Sequence, residues 1–394
     1  MAPVVATAPD ALELADAAAA WRSAYVHIPF CRRRCPYCDF AVVPHDGGGS
    51  PFQVARYIRA LTAEFAMEPP WEPLDAVDLG GGTPSSLPAS GLRDVLAGLD
   101  RRFERRSDAE VSLEANPEDW SAGYADEVRG VGFTRVSLGV QSFDPAVLTA
   151  LGRLHGPADG EQAVLAARSA GFETVGLDLI YGTPGESAAS WEETVERALA
   201  LDPDHLSAYA LTVERGTALS RDVLAGAPGP DPDDQADKYE HLAASASAAG
   251  LVRYEVSNWA RPGHPCRYNL ATWGQGEYLA FGLGAHGHRD GMRRRNVRRL
   301  DAYLARVEAG ERPEAGAEPI TGWSAEQERL MLGLRRAAGV IAGDGGAALE
   351  ASADGRRLMA AGVLERHGDR LVVAKPLLTD EAVRAVLSLS SGDC

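Results

Sequence analysis

The sequence predicts an α/β fold: a partial (β/α)6 barrel of the TIM type, followed by a small α+β domain that resembles a winged helix. Three observations predict it. Short apolar runs recur along the chain, and each precedes a longer helical pattern. Loops rich in glycine, polar and charged residues follow these runs. Beyond about residue 319 the alternation stops, and helices surround a hairpin pattern.

The predicted strands are six β-branched, apolar runs at residues 24–30, 74–79, 110–113, 135–140, 174–180 and 205–211. Several are apolar on both faces, which is typical of strands buried on both sides in a parallel sheet. Six units are fewer than the eight of a closed TIM barrel. Amphipathic helices are predicted between them, for example at 52–65, 191–201 and 234–249.

The loops after these strands carry the residues capable of chemistry: CRRRCPYCDF, GGGTPSS, EANPED, GVQSFD, YGTPGES and LTVERGT. In barrel folds the carboxyl ends of the strands carry the active site. The sequence therefore predicts one site at the mouth of the barrel.

We divide the chain into an Ala-rich extension at 1–20, the barrel at 21–319 and the C-terminal domain at 320–394. Residues 225–234 and 308–318 are predicted to be loops or linkers because they are rich in Pro, Gly, Ala and acids. In the C-terminal domain we predict a helix that begins at an N-cap Ser324, a hairpin that turns at Gly368 and Asp369, and a last helix.

Composition limits the function classes. The 394 residues carry a net charge of −17, from 56 acidic and 39 basic side chains. This balance argues against broad nucleic-acid binding and against an anionic membrane surface. The N-terminal region lacks the basic start of a secretory signal, and no stretch of 18 uncharged apolar residues occurs. We therefore expect a cytoplasmic protein, in which thiols stay reduced.

Three of the five cysteines form a cluster. Cys31, Cys35 and Cys38 give the spacing C-x3-C-x2-C directly after the first predicted strand, whereas Cys266 and Cys394 are isolated. Structural zinc normally takes four ligands in two separated pairs, and the sequence has no second pair. Three thiolates suit three irons of a [4Fe–4S] cluster and leave the fourth iron open.

The segment YVHIPFCRRRCPYCDF resembles the signature of the radical S-adenosylmethionine (SAM) superfamily. More narrowly, the chain resembles the oxygen-independent coproporphyrinogen III oxidase-like family. The blocks GGGTPSSL, SLEANPE, LGVQSFD, LDLIYGTPGES and YEVSNWA match that family in order, over about residues 25–286. The resemblance implies a radical SAM barrel with a [4Fe–4S] cluster on the three cysteines and SAM on the open iron.

The resemblance also implies which residues contact SAM: Tyr25, Tyr37, Gly81, Gly82, Thr83, Glu114, Gln141, Arg153 and Asp178. Arg153 would meet the SAM carboxylate bidentately, and Asp178 would accept hydrogen bonds. The glycines would let the backbone approach the ligand closely. The alternative for them is a tight turn before Pro84. No catalytic residue is assigned.

The family contains a decarboxylating oxidase of porphyrin biosynthesis and a haem chaperone. The oxidase has a further cysteine two residues after the third, where this chain has Phe40, and it has a longer segment before its first cysteine. Both differences favour the chaperone, so we do not expect a true coproporphyrinogen dehydrogenase. The resemblance then implies haem and haem-accepting proteins as partners, with a flavodoxin or ferredoxin as electron donor and membrane contact only through acceptors. The oxidase, or another radical SAM reaction on a tetrapyrrole, remains the alternative.

The haem ligand is the point at which the chain departs from the chaperone pattern. That subgroup has a His-Asn-x-x-Tyr-Trp block inside a haem-associated insert, here around residues 255–290. This chain has CRYNLATW, so Tyr268 replaces the histidine. A phenolate can bind ferric haem, which makes Tyr268 a candidate ligand. The alternatives are Cys266, His264, His286 and His288.

Overall fold

A twelve-stranded mixed sheet forms the frame of the molecule, and a three-stranded sheet belongs to the C-terminal part. The structure is a computed structural model that describes residues 9–44 and 50–390. The strands are β1 Ser23–Ile28, β2 Phe30–Cys31, β3 Val43–Pro44, β4 Leu74–Gly81, β5 Arg105–Ala115, β6 Arg135–Gln141, β7 Thr174–Tyr181, β8 His205–Ala210, β9 Val252–Arg253, β10 Asn258–Ala260, β11 Tyr278–Phe281, β12 His286–Arg289, β13 Met292–Asn296, β14 Glu314–Pro319, β15 Val340–Ile341, β16 Leu364–His367 and β17 Arg370–Val373.

The α-helices are α1 Pro9–Ala17, α2 Pro51–Met67, α3 Ala89–Asp100, α4 Ala122–Val131, α5 Pro145–Ala150, α6 Pro157–Ser169, α7 Ala188–Ala200, α8 Ala218–Leu224, α9 Pro232–Ala248, α10 Arg267–Trp273, α11 Leu300–Glu308, α12 Trp323–Gly333, α13 Gly343–Ala351, α14 Ala353–Ala360 and α15 Thr379–Leu387. Short 3-10 helices lie at Ala18–Ala20, Pro84–Ser86, Pro117–Asp119 and Pro376–Leu378.

The large sheet has the order β14-β13-β12-β11-β1-β4-β5-β6-β7-β8-β10-β9. The strands β1, β4, β5, β6, β7 and β8 are parallel and overlap the six predicted runs. They are mostly buried on both faces because helices cover one side and the barrel interior the other. The predicted α/β fold class, with six βα units, is thus confirmed.

The helices between the strands form the outer layer of the barrel. Ser50 is the N-cap of helix α2, and its hydroxyl accepts from the backbone N–H of Gln53. The helix buries Leu61 and Phe65. Helix α7 buries Trp191, whose indole N–H donates to the carbonyl of Lys238 on α9. These apolar faces join the sheet in one core, which holds the strand ends in place.

Two sequence predictions are wrong in detail. Residues 308–318 were expected to form a linker, but Glu314–Pro319 is strand β14, which pairs antiparallel with β13. Its exposed position at the sheet edge allows a polar composition, which obscured the strand pattern. Ser324 was expected to be an N-cap, but α12 has Gly322 as its N-cap and Ser324 lies inside the helix. The Ser324 hydroxyl instead donates to the carbonyl of Thr321.

The C-terminal part has its own apolar core, formed by α12–α15 and the sheet β15-β17-β16. The predicted hairpin is present as β16 and β17, and the last helix is α15. This part is tied to the N-terminal residues: Arg370 pairs with Asp16 at 2.8 Å, and Arg336 donates to the carbonyl of Ala15 at 2.7 Å.

Within the described residues, no helix combines the length and the apolar character that a membrane span requires.

Candidate functional site

A cavity of about 480 Å³ opens at the carboxyl ends of the parallel strands. This volume lies in the range of small-molecule sites, and the position is the functional end of a barrel. Most of the residues that the resemblance assigned to the cluster and SAM line it: Cys31, Cys35, Tyr37, Cys38, Gly81, Gly82, Thr83, Glu114, Gln141, Arg153 and Asp178. Residues from the ends of four successive strands, β4 to β7, and from the cysteine loop thus meet in one place.

The three thiols lie on one side of this cavity. Burial raises the pKa of the Cys31 thiol to about 12 and also raises that of Cys38, so both hold their protons when no metal is bound. The Thr83 hydroxyl donates to the Cys31 sulfur at 3.4 Å, which opposes that shift. Among the described residues, no three Cys, His, Asp or Glu side chains converge to hold a single metal ion. Three thiols on one loop can hold an iron–sulfur cluster, in which each thiolate binds a different iron.

Arg153 lies beside the thiols. Its guanidinium lies 3.7 Å from the Cys35 sulfur, donates to the Asn116 side chain at 2.5 Å and to the Gly139 carbonyl at 3.0 Å. Its Nε is buried without a partner. Burial disfavours the charged form, yet the neighbouring Tyr37 and other acidic groups raise the pKa of Arg153, so the cation persists. A buried cation with an unused donor is suited to a ligand carboxylate.

Two buried carboxyl groups complete the polar lining. Glu114 accepts from the backbone N–H of Gly81 at 2.9 Å, and burial together with nearby Asp78 raises its pKa to about 8. Asp178 accepts from the Ser137 hydroxyl at 2.8 Å, and burial raises its pKa as well. These groups can exchange hydrogen bonds with a polar ligand such as SAM, whose amino and hydroxyl groups are donors.

The glycines of the second strand loop are required by the packing of β1. Gly81 has a φ of +103°, and a Cβ there would lie 2.2 Å from the His27 ring. A Cβ on Gly82 would lie 2.6 Å from the Pro29 backbone. The absence of side chains therefore lets the loop approach β1, in addition to any approach to a ligand.

Gln141 has a left-handed backbone, with a φ of +66° at the end of β6. This conformation is unfavourable for a residue other than glycine and is concentrated at functional sites. It agrees with a lining role for the side chain.

Tyr25 and Tyr268 lie outside the lining of the cavity. Tyr25 hydrogen-bonds His27 at 3.1 Å and stacks on Tyr268, with ring centroids 5.9 Å apart. Helix α10, which carries Tyr268, lies toward the amino-terminal ends of the parallel strands. This location is shown by the backbone N–H of Arg267, which donates to Glu110 on β5. Burial also raises the pKa of Tyr268, so its phenol stays neutral.

The alternative haem ligands also lie away from the cavity. His264 bonds the Thr174 hydroxyl at 2.8 Å, His288 contacts the Gly276 carbonyl at 3.2 Å, and Cys266 is buried. His286 lies on β12. Cys394 lies outside the described residues.

Sequence reasoning missed several lining residues, above all Asn116, Glu118 and Tyr209. Asn116 and Glu118 lie in the EANPED block, so their position after a strand was the available signal. Glu118 is held by His155, whose Nδ1 lies 3.0 Å from it. Tyr209 lies within an apolar strand pattern, and nothing in the sequence separated it from the core.

The chain is similar to known proteins both in sequence and in structure. Residues 25–198 match the radical SAM superfamily. The chain is 43% identical to the heme chaperone HemW of Mycobacterium tuberculosis, over 92% of this chain and 94% of the relative. For the heme chaperone HemW of Bacillus subtilis the identity is 35%, over 81% and 84%. For that of Escherichia coli it is 37%, over 67% and 69%.

One solved structure has the same fold throughout. Coproporphyrinogen III oxidase (HemN) from Escherichia coli, described as a radical SAM enzyme, aligns with a TM-score of 0.79 over 96% of this chain and 92% of its own, at 22% identity. This similarity shows the fold, whereas the HemW relatives also share 35% to 43% of their aligned residues with this chain. The chain therefore belongs to the HemW heme chaperone family of the radical SAM superfamily.

Proposed function

We propose that the protein is a cytoplasmic haem chaperone, which holds a [4Fe–4S] cluster on Cys31, Cys35 and Cys38, binds SAM beside it, and transfers haem to acceptor proteins. The observation that carries this proposal is the 43% identity to a HemW relative over 92% of the chain, with Phe40 at the position of the oxidase's further cysteine.

We propose that SAM contacts Tyr25 and the following residues of the cavity wall: Tyr37, Gly81, Gly82, Thr83, Glu114, Gln141, Arg153 and Asp178. Arg153 would bind the carboxylate of SAM, and Glu114 and Asp178 would accept from its polar groups. With cluster and SAM bound, reductive cleavage of the SAM sulfonium becomes available to the protein, given a flavodoxin or ferredoxin as donor.

The rim of the cavity supports haem binding. Phe40 and Leu154 line it and are 57% and 50% exposed, so they present apolar surface to solvent beside the cavity. Arg33 and Arg34 lie on the same rim. An apolar surface beside arginines suits a flat apolar macrocycle with two propionates.

An anaerobic haem titration of the reconstituted protein tests the proposal. We expect a saturable Soret shift at micromolar haem, and its absence in the wild type would reject a haem chaperone. Phe40→Ser should weaken binding several-fold if haem lies on the rim. Loss of the shift in Tyr268→Phe, with Phe40→Ser unaffected, would instead assign the axial ligand to Tyr268.

An anaerobic assay with SAM, reductant and coproporphyrinogen III tests the alternative. We expect no protoporphyrinogen from the wild-type protein. Protoporphyrinogen formation at a rate dependent on SAM would make the protein an oxidase.

A further inference from the structure

A chain of three hydrogen bonds connects Arg153 to the sulfur of Cys31. The guanidinium donates to Asn116 Oδ1 at 2.5 Å, Asn116 Nδ2 donates to Thr83 Oγ1 at 3.1 Å, and the Thr83 hydroxyl donates to Cys31 Sγ at 3.4 Å. Every donor points in the same direction, from the cation toward the thiol. Thr83, which the resemblance assigned to SAM, thus has its proton engaged by a cysteine.

The surrounding residues hold these three hydrogen bonds in one arrangement. The backbone N–H of Asn116 donates to the Ser85 hydroxyl at 3.1 Å, and Thr83 and Ser85 are each 4% exposed. The side chain of Arg153 is 7% exposed and is also fixed by the Gly139 carbonyl. Thr83 and the side chain of Arg153 are therefore largely shielded from solvent, and hydrogen bonds between buried groups polarise one another.

The same guanidinium also lies 3.7 Å from the sulfur of Cys35. Arg153 thus acts on two of the three thiols, one directly and one through Asn116 and Thr83. Hydrogen bonds to the sulfurs are among the properties that set the reduction potential of an iron–sulfur cluster. A donor stabilises the reduced cluster more than the oxidised one, because reduction adds negative charge near the sulfur.

We propose that Asn116 and Thr83 are positioning residues that raise the reduction potential of the cluster by transmitting the charge of Arg153 to Cys31. The proposal rests on the cluster assigned under the proposed function. It predicts that the potential depends on two side chains that bind no iron.

The test is a redox titration of the full-length, anaerobically reconstituted protein, followed by electron paramagnetic resonance. Thr83→Val removes the donor and keeps the shape. We expect about a tenfold fall in the equilibrium constant for reduction, which is about 59 mV for one electron. Thr83→Ser should restore the wild-type potential, and Asn116→Ala should lower the constant about threefold.

Ser86→Ala is the matched control, because this hydroxyl donates to the Phe30 carbonyl and to no thiol. Wild-type potentials in both Thr83→Val and Asn116→Ala would overturn the proposal. If Thr83→Val fails to take up iron, Thr83→Ser and Asn116→Ala decide it. A wild-type protein that binds no four-iron cluster would refute the proposed cofactor, which is a different result from unchanged potentials.

Discussion

At the scale of residues, the three clustered cysteines are the feature that the sequence predicts best. Their spacing after the first strand is enough to bring Cys31, Cys35 and Cys38 to one cavity wall. Because burial raises the pKa values of Cys31 and Cys38, loading of the cluster must displace their protons. Cys31 and Cys38 therefore become thiolates when a metal binds, and they do not serve as free thiolates.

We predict that alanine at Cys31, Cys35 or Cys38 abolishes the brown chromophore, since three thiolates are the minimum for the cluster. Cys266→Ala is the control, because Cys266 is buried at the N-cap of α10 outside the cavity lining. Iron content and absorbance after anaerobic reconstitution are the measurements. Equal iron loss in Cys266→Ala would show that the assigned ligand set is wrong.

Other site residues could not be identified from the sequence alone. Asn116 and Thr83 are 33 positions apart, and only the pairing of β4 with β5 brings their loops together. Gly81 and Gly82 indicated that the backbone approaches another group closely, but the sequence could not identify β1 as that group. Local patterns carry chemistry and spacing, whereas contacts across strands depend on the sheet order.

At the scale of elements, the six parallel strands were predicted from short apolar, β-branched runs, several of which are apolar on both faces. Strand β11 was missed: it has four residues, and its parallel partner β1 lies about 250 positions earlier.

The loop after β11 is fixed by Glu64 on α2. Its carboxylate accepts from the Gly282 N–H at 2.8 Å, from Tyr303 at 2.6 Å and from Asn296 at 2.7 Å.

Burial raises the pKa of Glu64 from its ordinary value of 4.5 to about 7. The folded state then holds this proton more tightly, so stability falls as pH rises from about 4.5 to about 7 and the loss is complete above that. This rise in pKa corresponds to about 3 kcal/mol. We predict that Glu64→Gln flattens the pH dependence by about this amount between pH 5 and pH 8. Urea unfolding at pH 5 and pH 8 measures this difference. An equal change in the free energy of unfolding between the two pH values in wild type and variant would contradict the raised pKa of Glu64.

At the scale of the whole molecule, the N-terminal segment joins the barrel to the C-terminal part. Ala18 packs with Tyr254 and Leu270 in a small apolar cluster, while Arg336 holds the Ala15 carbonyl. The sequence showed only an Ala-rich extension, because the partners of this segment lie more than 200 residues away.

We predict that Arg336→Ala destabilises the protein by about 1–3 kcal/mol, because it leaves the Ala15 carbonyl without its donor. Amide hydrogen exchange in residues 9–20 should accelerate selectively. Arg357→Ala on α14, with a side chain 59% exposed, is the control and should leave exchange there unchanged. If both variants behave alike, the N-terminal segment does not link the two parts.

The central claim is that residues from successive strand ends form one site for a cluster with an open iron beside SAM. Mössbauer spectroscopy of the 57Fe-reconstituted protein tests it most directly. We predict four irons, of which one changes its signal when SAM is added, while Arg153→Lys needs more SAM for the same change. Four equivalent irons that do not respond to SAM would contradict the account.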